Sequence, residues 1–526
     1  MLFSVFNTEE LIVGFAGDQQ RRLGWLTYFG FVIFFIFSSL RVNYFFGVKI
    51  LKAAILNHLV LSIYAMFQTT GNDFVAWNNP YNAIIGSLGN PNFASAMLSI
   101  LSCLSITALL SNDISRIYKS MAVISIILGF IAIILSESRQ GLVSFIFAFL
   151  FFVSLYFYFS DNKFKFVAPI VSLLIIIVAV MGMLQKGPLS AILYKPSVTL
   201  RGYYWDAGIN MFFNKPFTGI GVDSYERYFF AFRDLEYPLK YGFEISSSNA
   251  HNVLIQLFAT CGIFVGVSYL ILIFFILITA LKLIKKSKGN KKIIALGFTS
   301  AWIAFQSQAF ISIDNIGLTV WGWVLGGAII GLEHSFIGEE VTNYKTSKKS
   351  INLLQPSISF LFLIPTLVIA TYLHRSETNT LQLQKISAST GIDFRTINKI
   401  TSDVYNNPAS LPQYKLFSVM VLNSAGEKIK VEEKIKALRK TSPRLLNIFY
   451  SDIQIHNNNF NIELDNRLNI LKIDPWNLKN YLRIVELSLI LNDKENLKFS
   501  LDRILTLAPN SDEAKTAQSL ISNYNE

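Results

Sequence analysis

Blocks of about twenty consecutive apolar residues recur along this chain, and no other feature restricts its fold so severely. Each has the length needed to cross a hydrocarbon core about 30 Å thick. A single run of this kind could be a buried core helix. About ten of them, at 23–40, 50–68, 93–110, 117–135, 142–160, 164–184, 252–283, 293–313, 316–332 and 351–372, point instead to a polytopic all-α membrane protein. A mean hydropathy of +0.43 and a charged content of only 15% agree. The seventh run is longer than one crossing needs, so its first turns are expected to stand proud of the bilayer or to lie along its surface.

The net charge of +12 does not gather on one surface of the kind a nucleic acid would need. Lysines and arginines fall in alternate loops: Arg41, Lys49 and Lys52; Arg116 and Lys119; Lys163 and Lys165; the run "KLIKKSKGNKK"; and Lys345, Lys348 and Lys349. Loops of the opposite parity, 69–92 and 312–315, carry almost none. The positive-inside rule puts the basic loops in the cytoplasm, and the large loop 185–250 and everything after Tyr372 on the outer side. Arg21 and Arg22 run against this pattern. Cys103 and Cys261 fall within spans and read as small apolar packing residues, with no disulfide framework. The opening "MLFSVFNTEELIVGF" lacks the basic start and small-residue cleavage site of a secretory signal peptide.

After Tyr372 the composition becomes that of a soluble helical domain, which divides the chain into a membrane domain at 1–372 and a helical domain at 373–526. Prolines recur in comparable contexts, "NNPAS" (Pro408), "TSPRL" (Pro443), "IDPWN" (Pro475) and "LAPNS" (Pro509). The last interval matches the period of about 34 residues of tetratricopeptide helical hairpins, in which one helix ends before the proline and the next begins after it. A generic helical bundle is the alternative. A repeat array would supply a docking surface and no chemistry.

The five histidines, His58, His251, His334, His374 and His456, include no pair at metal-ligand spacing. A phosphate-binding glycine loop and a Gly-x-Ser-x-Gly elbow are both missing from the sequence. The remaining candidates are basic and polar residues near span ends on the outer side. Arg139, in "LSESRQGLVSF", starts a span in an outer loop, where anchoring arginines are disfavoured. In "SVTLRGYYWDAGINMFFNKPF" a helix is expected over 198–213, with Arg201, Trp205, Gly208 and Phe212 on one face. An arginine one turn from a tryptophan suits a flat or phosphate-bearing ligand, and equally a stacking pair that packs the loop. Arg227 and Arg233 follow, as ligand contacts or as a solvated face. His251 precedes a helix in "SSSNAHNVLIQLF", where the helix N-terminus disfavours imidazolium and leaves a neutral ring available as a base. Asn252 beside it could cap the helix or orient the ring. The turn "FQSQAFISIDNIG" adds Gln306, Asp314 and Asn315, polar groups that need a cavity or an internal network at that depth.

These segments, with "GSLGNPNFASAML", "AHNVLIQLFATCGIFVG" and "QSQAFISIDNIGLTVWGWVLGG", resemble in order and spacing the O-antigen ligase and polymerase superfamily of bacterial membrane glycosyltransferases, in the subgroup with a C-terminal tetratricopeptide-like region. The resemblance implies a GT-C-like, metal- and cofactor-independent enzyme of the inner membrane, acting on its periplasmic face. Its donor would be a glycan on undecaprenyl pyrophosphate and its acceptor a hydroxyl of lipid A-core, a growing glycan or a protein. The family's functional arginines match Arg139 and Arg201, and its loop histidine matches His251. An envelope protein bound through the repeat region is a further implied partner. A flippase or transporter is the rival class, but its marks are midplane charges and inverted repeats, and here the candidates cluster at one face.

Overall fold

The computed structural model describes the chain except residues 72, 76, 78, 80–82, 161–162, 195, 339–353, 389–393, 442–458 and 526. Among the described residues every regular element is a helix. The packing divides them into two units, 25–205 with 249–344, and 1–24 with 206–248 and 345–526, and the boundary between 205 and 206 falls inside the helix Pro196–Asn214.

Among the described residues of the first unit, six helices are long and apolar enough to cross a membrane: Tyr44–Gln68, Pro91–Leu110, Arg116–Leu135, Arg139–Tyr158, Ile263–Lys286 and Ile316–Phe336. Trp25–Arg41 and Val167–Met183 are apolar but shorter. Of the about ten spans expected, the run at 293–313 forms the helix Gly289–Ala309, whose lysines, glutamines and serines lower its hydropathy below the others. The run at 351–372 begins outside the described residues and continues in the helix Leu354–Ser387. Lys345, Lys348 and Lys349 also lie outside the described residues.

Pro91–Leu110 is the core of this unit and is buried along almost its whole length. Asn90 caps it by accepting from Asn92 N, and Pro91 fills the first position, where its missing N–H leaves nothing unsatisfied. Its serines let neighbouring helices come close and supply the polar links an apolar surround requires. Ser99 Oγ donates to the Gly141 carbonyl at 2.7 Å, and the buried His58 ring lies 2.9 Å from Ser105 Oγ and 3.3 Å from Ser102 Oγ. That accounts for His58 as a packing residue.

The long run at 252–283 is not one helix. It breaks at Gly262, whose φ of 80° lies in the region that suits glycine, between Val253–Cys261 and Ile263–Lys286. The short first piece carries the turn before it, with His251, and the second piece has the length of a span.

In the second unit the N-terminal helix Leu11–Ala16 places Val13 in an apolar cluster with Leu383, Ile400, Val404, Leu411 and Tyr414. Arg22 pairs with Glu377, which explains its departure from the loop-charge pattern: its partner is a carboxylate of the C-terminal helices. The helices Leu478–Leu491 and Lys494–Leu507 pack as a pair capped by Asn477 and Asp493, and Asp512–Asn525 adds a third. Helices end before Pro408, Pro475 and Pro509 and restart just after them, whereas Pro443 lies outside the described residues.

Asp223 is half-buried in this unit. Its carboxylate accepts the N–H groups of Asp18 at 2.6 Å and Leu23 at 3.2 Å, fastening the N-terminal segment to the loop. Burial raises its pKa from 3.8 to about 7, against those hydrogen bonds and Arg21, which act the other way. A carboxyl whose pKa is raised on folding stabilises the fold at low pH and loses that contribution as pH rises towards its folded value. We therefore expect stability to fall between about pH 4 and pH 7 and Asp223→Asn to flatten that slope, as read from thermal midpoints across the range.

Candidate functional site

Three helices of the membrane-helix unit begin around one cavity of ≈ 390 Å³. Pro91–Leu110 contributes Asn92, and Arg139–Tyr158 contributes Arg139, Gln140 and Val143. His251 stands just before Val253–Cys261. The helix Pro196–Asn214 covers the cavity with Ser197, Val198, Leu200, Arg201 and Tyr204, while Leu193, Met183 and Ile311 complete the wall. Helix N-termini present unpaired N–H groups and the positive end of the dipole, so their convergence favours an anion.

Arg139 is half-buried and donates through Nη1 to the Tyr194 carbonyl, which leaves most of its fork unused. Arg201 is held one turn inside its helix. Burial pulls its guanidinium below the ordinary value, and the neighbouring Tyr204 acts in the opposite sense. Among the described residues neither arginine pairs with a carboxylate. Two cations in one cavity without such a partner are costly until an anion arrives.

His251 adopts φ 52°, a left-handed conformation that costs a non-glycine residue about 1 kcal/mol or more and that surrounding contacts must enforce. Asn249 Oδ1 accepts its N–H at 3.0 Å, and its ring stacks on Tyr204 with centroids 5.1 Å apart and planes 29° from parallel. Asn252 does not hold the ring. It caps the following helix by accepting from Ile255 N at 3.0 Å and donates to the Phe310 carbonyl at 3.0 Å. Asn252 therefore acts through the placement of the turn.

The aromatic partner of Arg201 is shifted by one residue from the expected one. Tyr204 lines the cavity, whereas Trp205 does not, and its buried indole N–H has no partner among the described residues. Arg227 and Arg233 belong to the other unit. Arg227 pairs with Glu10, and Arg233 with Asp474 at 3.1 Å and the Phe243 and Ile245 carbonyls at 2.8 and 3.2 Å. Each thus has a carboxylate partner within that unit. The polar groups of the late turn form an internal network. Asp314 accepts from Tyr28 at 2.8 Å and Thr319 at 3.2 Å, Gln306 bonds Tyr269, and Asn315 Oδ1 accepts Gly317 N at 3.0 Å. From this turn only the side chain of Ile311 reaches the cavity wall.

Gln140 has no place in the sequence-based set. It is 5% exposed, lines the cavity beside Arg139, and neither atom of its amide has a partner among the described residues. A buried amide with both ends unsatisfied is rare, and a polar ligand would satisfy it. A glutamine one residue into an apolar helix forms no motif, so only its neighbours reveal it.

Residues 124–270 match the family model described as O-antigen ligase, a stretch that contains Arg139, Arg201 and His251. No curated protein and no solved structure matches the chain significantly.

Proposed function

We propose that this multi-pass membrane protein is a glycosyltransferase that moves a glycan from undecaprenyl pyrophosphate to a hydroxyl acceptor at the periplasmic face of the bacterial inner membrane. One observation carries the reading: Arg139, Arg201 and His251 line a single cavity in which neither arginine has a carboxylate partner among the described residues. The family match over the same stretch supports it.

The roles follow from the chemistry. Pyrophosphate leaves readily once its developing charge is neutralised, and guanidinium forks do this bidentately. His251 takes the proton of the acceptor hydroxyl as the new C1–O bond forms. The C1–O bond to pyrophosphate breaks and both electrons leave with the phosphate. A single displacement of this kind inverts the anomeric centre. Gln140 and Asn92 add polar contacts, with Gln306, Asp314 and Asn315 bracing the wall from behind. The loop 185–250 and residues 373–526 lie in the periplasm in this scheme, where tetratricopeptide-like C-terminal helices dock the acceptor or an envelope partner.

Purified protein in nanodiscs, given a lipid-pyrophosphate glycan and lipid A-core, glycan or peptide acceptors in turn, tests the proposal. We expect one acceptor to be glycosylated with inverted linkage and release of the lipid pyrophosphate, at an undiminished rate in a chelator. No product with any acceptor, or transfer lost in chelator and restored by a divalent ion, would contradict it.

A further inference from the structure

A second cleft, of ≈ 450 Å³, lies in the same unit between the end of Tyr44–Gln68 and the end of Arg116–Leu135. Trp77, Asp73, Gln68, Thr69 and Asn79 line it, over a floor that includes Ile84, Ile85 and Leu135. We propose that this cleft binds a pyranose unit of the glycan, at a distance from the reacting bond. The proposal rests on the reading of the chain as a glycan transferase.

A pyranose ring has an apolar C–H face and a rim of hydroxyls. Its recognition needs an exposed, immobilised aromatic plate beside fixed hydrogen-bonding groups. Trp77 is 38% exposed and held from two sides. Its Nε1–H donates to Tyr64 OH at 2.9 Å, and its six-membered ring lies over Gly89, where an added Cβ would sit 3.4 Å away. The Tyr64 hydroxyl donates in turn to Asp73 Oδ1 at 2.9 Å. Gln68 Nε2 donates to Asp73 Oδ2 at 2.7 Å, while Gln68 Oε1 accepts the Gly86 N–H at 2.8 Å. Plate and carboxylate are thus locked into one network before any ligand arrives, so little ordering remains for binding.

An interfacial anchor is the competing account of a tryptophan near a membrane surface. Such an anchor turns its indole N–H to headgroups and water, whereas that of Trp77 is taken by Tyr64. A carboxylate on the same wall is also unfavourable against acyl chains. Phe74, 77% exposed, suits that anchoring role instead.

The location fits an extended glycan. Leu135 lines this cleft and Arg139 the cavity described above, four residues apart in sequence and therefore at most about 14 Å by chain reach. A sugar bound at Trp77 belongs to the same saccharide whose anomeric carbon reacts beside Arg139.

The test reads binding without transfer. Full-length protein in nanodiscs is titrated by calorimetry with the free oligosaccharide released by mild acid from the lipid-linked pool of the producing strain. We expect saturable binding, weakened about tenfold or more in Trp77→Ala and largely kept in Trp77→Phe, which retains a plate. Unaltered affinity in Trp77→Ala, or no binding by the unmodified protein, would overturn the assignment. So would strong quenching of the Trp77-dependent fluorescence by brominated lipid, the signature of an anchor in the bilayer. Failure of the transfer reading looks different: no glycosylated product with any acceptor while Trp77-dependent saccharide binding persists.

Discussion

Arg201→Ala is expected to lower glycan transfer by about a hundred- to a thousandfold, the loss seen when one preorganised donor to developing negative charge is removed. His251→Ala should do similar damage by a different route, since a positioned base supplies about a hundredfold or more. The two are separable. The arginine acts on the leaving group, so Arg201→Lys keeps the charge, loses the fork and recovers only part of the rate. The histidine acts on the acceptor, so its loss should be partly relieved at higher pH, where acceptor hydroxyls are more easily deprotonated. The Arg201 variant should insert and unfold like the parent, because Arg201 has no ion-pair partner to abandon among the described residues. Normal transfer by either variant in vesicles would remove that residue from the reaction.

The second large effect is structural. Arg233→Ala should destabilise the unit formed by 1–24, 206–248 and 345–526 by about 3–5 kcal/mol, as removal of one partner of a buried ion pair does. The Arg233 side chain is fully buried and that of Asp474 is 9% exposed. Without the guanidinium, Asp474 keeps a buried charge with no countercharge, and the Phe243 and Ile245 carbonyls lose their donor. Phe230, whose ring lies 4.5 Å from the guanidinium, loses its cover as well. Replacing both ionic partners, as Arg233→Met with Asp474→Leu, should recover much of the loss, because an apolar pair carries no desolvation cost. Thermal unfolding in nanodiscs, with limited proteolysis of the C-terminal helices, measures this. A single variant as stable as the parent would show that the pair is dispensable.

Most of the helical architecture is legible in the sequence, because apolar runs and proline punctuation act locally. What fails is what depends on partners far along the chain. Arg227 and Arg233 read as ligand contacts or as a solvated face, yet the carboxylate of Arg233 lies 241 residues away and that of Arg227 lies 217 residues away. The shift from Trp205 to Tyr204 has another cause. Residues three and four positions after Arg201 both share its helix face, and only the cavity decides between them. Arg139, Arg201 and His251, which line one cavity, stand out in the sequence because each lies near a helix start and a change in polarity. Gln140 has none of these, and the break at Gly262 is hidden in an unbroken apolar run.

The position of Val13 among Leu383, Leu411 and Tyr414 has a consequence for biosynthesis. Its partners emerge from the ribosome some 370 residues or more after it, so Val13 lacks these neighbours until most of the chain has been made. Closure of that cluster must be among the last folding events. A bulky fusion ahead of Met1 should consequently be felt first at the opposite terminus, as protease-sensitive C-terminal helices, before any defect in the membrane-spanning part.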